Sequence, residues 1–383
     1  MVDVIIMSHP QISIIGAGIS GLVLGRCLLH RGIPFALFER DAASSRTARY
    51  SYGITLHSWA YRPLLKYLEI DEKTFKKSLA VDAPVGGTGQ GGNSVDEDIN
   101  ASSFRANRQK FEHLLRNGLD VKWEHGVSEI KAHGNSNTIK FHNGEQAQSV
   151  VVVGADGPHS AVRKSISPVT DLNVLPFAVY NGKRRLKRQT FDEKYASYMD
   201  GANVIEQKEG QALMQISTND RSDDSVSISY TYSRSAQQSD AIFNPDRSMS
   251  GATDIPDELF EELAKLRSLE GPFKEVFSVD SMKGDRLLNW LMRSSLVDVQ
   301  ELRSAAHQGI IIIGDSAHST PILGGCGANA AIQDGVELAE YIAENGTESL
   351  ANFYEPRYET WRKYVEDSEI QLAEMHGTAR ANL

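Results

Sequence analysis

Cysteine is scarce: Cys27 and Cys326 are the only two in 383 residues. Two isolated thiols exclude a disulfide scaffold, a CxxC redox pair and a cysteine-rich zinc site. Long apolar runs are missing too. None approaches the roughly 20 residues that a membrane-spanning helix needs, so no stable membrane insertion is expected. Positive charge is in deficit: fifty acids against forty bases leave a net charge of −10, which argues against a nucleic-acid surface. The histidines, His30, His113 and His125 among them, lack metal-ligand spacing, and no serine sits on a nucleophile elbow. Neither a metal centre nor a hydrolase triad is indicated. The opening MVDVIIMSHPQ is too short and too acidic for a secretory signal, so a cytoplasmic protein is expected.

What is present suffices for a large folded body. The chain is 40% apolar, and its length allows two or three units or one α/β body with insertions. Apolar runs at 12–15 and 35–38 flank glycines and an amphipathic stretch ending at His30, which reads as strand, turn, helix, strand. Such a unit implies a parallel sheet with covered faces. Helical spacing returns at 58–68 and 107–117, and strands are expected at 121–123, 139–141 and 149–153. The Gly-rich patch at 84–94 reads as a hairpin tip or mobile loop.

Between about 175 and 282 the texture changes to short alternating segments such as 212–217 and 225–233. In the latter, Val226, Ile228, Tyr230 and Tyr232 share one face and Ser227, Ser229, Thr231 and Ser233 the other, the mark of a half-buried antiparallel strand. A helix at about 256–268, with Asp254 as its cap, interrupts this region. Buried-strand and helix patterns return at 309–313 and 329–345, and a charged helix at 350–376 is expected to present a solvated face. The fold class is α/β: a Rossmann-like domain with an inserted antiparallel β-sheet domain and a C-terminal helix. The discontinuous nucleotide domain takes 1–80, 98–174 and 283–349, the β-rich substrate domain 81–97 and 175–282, and the helix 350–383.

Three segments carry chemistry. In Gly16-Ala17-Gly18-Ile19-Ser20-Gly21 the first glycine permits a tight turn, the second lets a pyrophosphate approach the backbone, and the third lets the helix pack on the strand. Glu39, 18 residues after Gly21, ends the next strand, where a carboxylate can accept from ribose hydroxyls and repel a 2′-phosphate. The second segment, GADGPHSAVR at 154–163, read alone is equally a turn capped by Asp156. The third runs from Gly314-Asp315-Ser316-Ala317-His318 through Pro321 to Gly324-Gly325-Cys326-Gly327-Ala328-Asn329, offering N–H donors at a helix start and Asp315 for a sugar or ribityl hydroxyl.

Together and in this order, the three segments resemble the class A flavin-dependent monooxygenases, the FAD enzymes of the para-hydroxybenzoate hydroxylase fold. Salicylate hydroxylases and tetracycline-inactivating monooxygenases belong to that group. The resemblance spans nearly the whole chain. It implies FAD held by Gly16, Gly18, Ser20, Gly21, Glu39, Arg40, Arg49, Arg108, Asp156, Asp315, Gly325, Gly327, Ala328 and Asn329. Arg108 then lies near the ribityl and pyrophosphate groups, and Arg49 precedes a segment, 53–56, that passes beside the isoalloxazine. The implied reaction uses NAD(P)H, bound transiently, and O2. One oxygen atom enters an aromatic or polycyclic small molecule through a flavin hydroperoxide, with hydroxylation as the default. A flavin-dependent reductase or dehydrogenase of the same fold, acting on an unsaturated substrate, is the alternative, and the protein is expected as a monomer or homodimer. Gly325-Cys326-Gly327 departs from the usual Gly-Gln-Gly, and Asp334-Gly335 from Asp-Ala.

Other residues keep two readings. Tyr230 and Tyr232 line a substrate pocket, as would Pro321 and Gly324, or else the two tyrosines are a core face of the inserted sheet. His318 orders its loop or takes part in catalysis, and Cys326, in the segment that faces the flavin by resemblance, is a small packing residue or else a nucleophile or a flavin tether. The basic run Lys183-Arg184-Arg185 with Lys187-Arg188 is a solvated turn or a site for a nicotinamide phosphate or acidic substrate.

Overall fold

A computed structural model describes residues 11–45, 51–91, 103–134 and 136–377. Five strands form a parallel sheet in the order Ile310–Ile312, Val151–Gly154, Ile12–Ile15, Phe35–Phe38, Val121–Lys122. Ile12–Ile15 and Val151–Gly154 are buried at every position, because both faces are covered. The first crossover helix, Ile19–His30, packs on the helix Gly327–Asn345. Gly335 sets their close approach: a Cβ there would lie 2.9 Å from both Leu24 N and Ser20 O. The C-terminal ends of the strands 12–15, 151–154 and 310–312 therefore converge at the switch point of the sheet, where doubly wound folds take their ligands.

A wide antiparallel sheet follows the order Val204–Glu209, Ala212–Arg221, Ser225–Ser235, Phe177–Lys187, Leu287–Asn289. Its outer face, with Tyr180, Met214, Ile216, Ile228, Tyr230 and Tyr232, forms a separate core with Phe191, Leu259, Phe273 and Met282 from four short covering helices. Its inner face turns toward the nucleotide-type body. There Phe177 and Val179 meet Leu323 and Leu372, while Asn181, Ser229 and Thr231 give the middle of the face a polar lining, with Lys183 beside Ser229. A two-stranded ribbon, Gly53–Leu56 with Phe104–Asn107, joins the two bodies. Gly53 N donates to Asn219 Oδ1 (3.0 Å), and Asn107 Nδ2 donates to Asn219 O (2.9 Å). No helix among the described residues is long and apolar enough to cross a membrane.

Several local expectations change. The run 149–153 is not one strand: Ser149 ends the strand Gln146–Ser149, Val150 is 45% exposed, and Val151 starts the next. Val127–His133, whose outward residues are polar, is a strand that the apolar pattern does not announce. The strand Ser225–Ser235 is covered on both faces, so Ser229, Thr231 and Ser233 are buried as well. Lys183–Lys187 lies on a strand, not a turn: alternation sends Lys183 inward to Ser51 O (3.2 Å) and Arg184 outward to Asp285 (2.6 Å). The wide sheet takes its fifth strand from Leu287–Asn289, past the expected boundary at 282.

Residues 84–91 are no hairpin tip. Asp82 Oδ1 accepts from Gly89 N at 2.7 Å, and the Gln90 carbonyl accepts from Asn203 N at 3.0 Å; residues 92–94 lie outside the described residues. Asp254 caps nothing: the helix Asp257–Leu263 starts behind Pro256 without a side-chain cap. The tail helix Tyr354–Met375 is charged on one side yet buries Tyr354, Arg357, Trp361 and Leu372 on the other.

Candidate functional site

Three loops meet at the strand ends. Gly16 has φ of 104°, and a Cβ on it would overlap Ala155 O; a Cβ on Gly21 would overlap Gly16 O. Both glycines are demanded by the protein's own backbone. Gly18 is different, since a Cβ there would meet no protein atom closer than 4.0 Å. The helix it opens, Ile19–His30, has no side-chain cap, so its first N–H groups face that open space. Ser20 is buried, with its Oγ against Gly314. Glu39 is 4% exposed at the end of its strand, where Oε2 accepts from Ala17 N (2.7 Å) and Oε1 from Asp41 N (3.0 Å). The acid thus stands against the glycine turn. Arg40 is exposed beside it, 3.9 Å from Asp41, and Arg49 lies outside the described residues.

The second loop is built by Asp156. Its carboxylate accepts from Ala161 N (2.7 Å), Val162 N (3.3 Å) and Ser160 Oγ, so its oxygens hold the first turn of the helix Ala161–Ile166. Burial pushes the Asp156 carboxyl up, against the pull of these hydrogen bonds. Buried Arg163 ties this loop to the third, donating to Asp315 O (3.4 Å), Ser316 O (3.3 Å) and Pro158 O.

The third loop rests on a group that spacing alone does not reveal. Asp334 Oδ2 accepts from Gly314 N (2.8 Å) and His318 Nε2 (2.6 Å), and Oδ1 from Arg357 Nη2 and Trp361 Nε1 (both 2.8 Å). Burial opposes the charge on Asp334, but His318 and Arg357 outweigh it and hold the carboxyl at about 2. His318 stacks on Trp361 with ring centroids 4.5 Å apart. It is therefore placed to order the loop. Asp315 itself stands at the strand end, its carboxyl raised by burial and lowered in turn by His318 and Arg108.

The glycine-rich turn shapes the floor. A Cβ on Gly325 would overlap Pro321 O, and one on Gly327 would lie 3.1 Å from Thr320 Oγ1. Gly324, at φ of 72°, presses on the tail helix instead, 3.2 Å from Leu372 N by the same measure. Ala328 packs against the main core, and Cys326 is half-buried, its thiol pushed up by burial. The helix begins at Gly327, two residues before the expected start. Asn329 spends its amide on the ribbon: Nδ2 donates to Thr55 O (3.0 Å), and Oδ1 accepts from His57 N (2.8 Å). Arg108 donates to Glu112 (2.9 Å) and to the Tyr52 hydroxyl. Burial lowers its pKa, but Tyr52 and Glu112 outweigh that and raise it.

Of the two readings of the tyrosines, the core face holds and the substrate-pocket reading does not. Tyr230 and Tyr232 are fully buried on the outer face of the wide sheet, where Tyr230 donates to Asp285 and Tyr232 to Glu262 (2.8 Å). Strand alternation puts the serines and threonine of the same segment, not its tyrosines, toward the site.

Fold and site together define an α/β oxidoreductase of the FAD-binding type. The residues present fit the cofactor: the open cradle at Gly18, the uncapped helix start and the acid at Glu39 suit the pyrophosphate and ribose of a dinucleotide. Residues 290–368 match the FAD binding domain family. The chain is 30% identical over 398 residues to the FAD-dependent monooxygenase nscC of Trichophyton tonsurans, covering 97% of this chain and 96% of that protein. It is 30% identical over 383 residues to the FAD-dependent monooxygenase vrtH of Penicillium aethiopicum, covering 95% and 92%. Among solved structures, the fold is similar to tetracycline destructase Tet(55) (18% identity, TM-score 0.67, 96% of this chain and 89% of that one). It is likewise similar to 2,6-dihydroxypyridine-3-hydroxylase from Arthrobacter nicotinovorans (14%, TM-score 0.70, 97% and 94%). The chain belongs to the FAD-dependent monooxygenases, in the class A group of flavin enzymes, and FAD is its cofactor.

Proposed function

We propose that the protein hydroxylates an aromatic or polycyclic small molecule held between the glycine-rich turn 324–329, the ribbon and the inner face of the wide sheet. The observation that carries this reading is the polar inner face of the wide sheet, with Asn181, Ser229 and Thr231 beside Lys183, tied to the ribbon through Asn219 and closed at one end where Phe177 and Val179 meet Leu323. When bound, FAD supplies hydride acceptance from NAD(P)H and the activation of O2. The chain does the rest. Gly18 and the N–H groups of the helix start receive the pyrophosphate, Gly16, Ser20 and Gly21 shape the turn that presents them, Glu39 and Arg40 flank the adenosine side, and Arg108 and Asp315 flank the ribityl chain. Asp156 acts through the turn it caps, and Asn329 acts by fixing the ribbon strand Gly53–Leu56 against the floor formed by Gly325, Gly327 and Ala328. Covering the inner face with Phe177, Val179, Leu323 and Leu372 excludes water from one end of the site.

The test is a substrate panel of phenols, naphthols and polycyclic enols with holoenzyme and NAD(P)H, followed by mass spectrometry. A hydroxylated product made only in air supports the reading. Turnover of unsaturated substrates under anaerobic conditions supports a reductase instead.

A further inference from the structure

Between the ribbon and the wide sheet lies a cation that no carboxylate among the described residues answers. Arg105 sits on the ribbon strand Phe104–Asn107, whose Phe104 and Ala106 are buried in the main core. Alternation turns Arg105 to the other side, toward the wide sheet. There its Nη1 lies 3.3 Å from Thr55 Oγ1, and its Nε stands 2.6 Å from where a Cβ on Gly53 would be, beside Thr218 O. Nε is sealed from solvent and has no hydrogen-bond partner. Arg108 pairs with Glu112, Arg184 with Asp285, and Arg234 with Asp240 and Glu262, while Arg221 of the wide sheet lies over the Phe191 ring. Arg105 has no such partner among the described residues, and burial draws it down to about 10, opposed only by Tyr52. A desolvated guanidinium left without counter-charge is expensive unless something brings the charge to it. Around it Thr55, Asn219 and Ser229 are neutral and polar, linked through Gly53 N and Asn219 Nδ2. Thr55 is itself bonded through its carbonyl to Asn329 of the glycine-rich turn, so the open side of Arg105 belongs to the site described above.

We propose that Arg105 is a specificity-determining residue for an anionic substrate, its planar fork receiving a carboxylate or an ionised enol or phenol of the aromatic molecule, with Thr55 fixing the fork. This rests on the reading of the site given under the proposed function. A planar two-pronged donor favours an oxyanion over a neutral carbonyl of the same shape.

The experiment uses the holoenzyme and two matched probe pairs: lawsone, whose enol is ionised at neutral pH, against its uncharged methyl ether, and salicylate against salicylamide. FAD content and the flavin absorption spectrum are recorded first for wild type, Arg105→Gln and Arg105→Lys, and binding is then followed by quenching of flavin fluorescence. The wild type is expected to bind the anion of at least one pair roughly tenfold or more tightly than its neutral partner. Arg105→Gln is expected to abolish that preference and Arg105→Lys to retain part of it, all with FAD content unchanged. Preference for lawsone alone assigns an enolate, and preference for salicylate alone a carboxylate. Equal binding of anion and neutral partner by the wild type, binding of none of the four, or an undiminished preference in Arg105→Gln overturns the proposal. So does loss of FAD or a shifted flavin spectrum in Arg105→Gln with the preference intact, which assigns the cation to the cofactor. A wild type that takes up no FAD fails the underlying reading, and it does so before any probe is added.

Discussion

Arg357 of the tail helix and Asp334 of the helix after the glycine-rich turn form an ion pair at 2.8 Å in the interior. The pair makes the tail part of the cofactor body, because the other oxygen of Asp334 holds Gly314 N at the start of the third loop. Asp334→Asn removes the charge and keeps one acceptor oxygen for two donor sets, so either Arg357 and Trp361 or Gly314 N and His318 face an NH2 instead. The expected loss is about 3–5 kcal/mol, measured by urea unfolding of the holoenzyme. Trp361→Ala, which empties a fully buried site beside His318, is expected to cost a similar ~3–5 kcal/mol.

The same carboxylate sets an acid limit. Its folded pKa, about 2, lies below the ordinary value of 3.8, so the stability it contributes is complete above pH 4 and is lost as the pH falls through about 2. The contribution is on the order of 2 kcal/mol. Unfolding free energies measured from pH 6 downward are expected to decline in that window, and the decline is expected to shrink in Asp334→Asn.

The glycines of the first loop separate folding from cofactor binding. Gly21→Ala sets a Cβ against Gly16 O and is expected to lower the melting temperature of the cofactor-free protein. Gly18→Ala meets no protein atom, so the cofactor-free melting temperature is expected to stay put while FAD affinity falls by roughly tenfold or more. Equal effects of the two changes on cofactor-free stability would contradict the assignment of Gly18 to the cradle.

The two faces of the strand Ser225–Ser235 are expected to respond differently. Thr231→Val, on the inner face where Asn181 Nδ2 donates to the hydroxyl at 3.0 Å, is expected to raise KM several-fold for whichever panel compound turns over. Tyr232→Phe, on the outer face, is expected to leave KM unchanged and to cost about 1 kcal/mol through its lost bond to Glu262.

The cofactor loops were legible because their requirements are local. A tight turn, a close helix and a strand-end acid are written at fixed spacings, and Gly16, Gly21 and Glu39 stand where those spacings place them. The alternation at 225–233 was legible as a period but not as a direction. Nothing in the period says that the tyrosine face would be roofed by helices 188–284 while the serine face turned to the site. Asp334 and Arg357, 23 residues apart, and Arg105 with Thr55, 50 apart, depend on tertiary approach, and neither spacing is a helical or strand repeat. The charged tail misled for a related reason: one buried row, Tyr354, Arg357, Trp361 and Leu372, is diluted by the exposed charges around it.

A flavin monooxygenase must bring its organic substrate and O2 together at the flavin. The direct measurement is turnover of the phenol, naphthol and enol panel with NAD(P)H under isotopically labelled O2, read by mass spectrometry. A product carrying one labelled oxygen atom for each NAD(P)H coupled to turnover is expected. Product formed without label, or formed equally well in the absence of O2, would contradict the proposed hydroxylation.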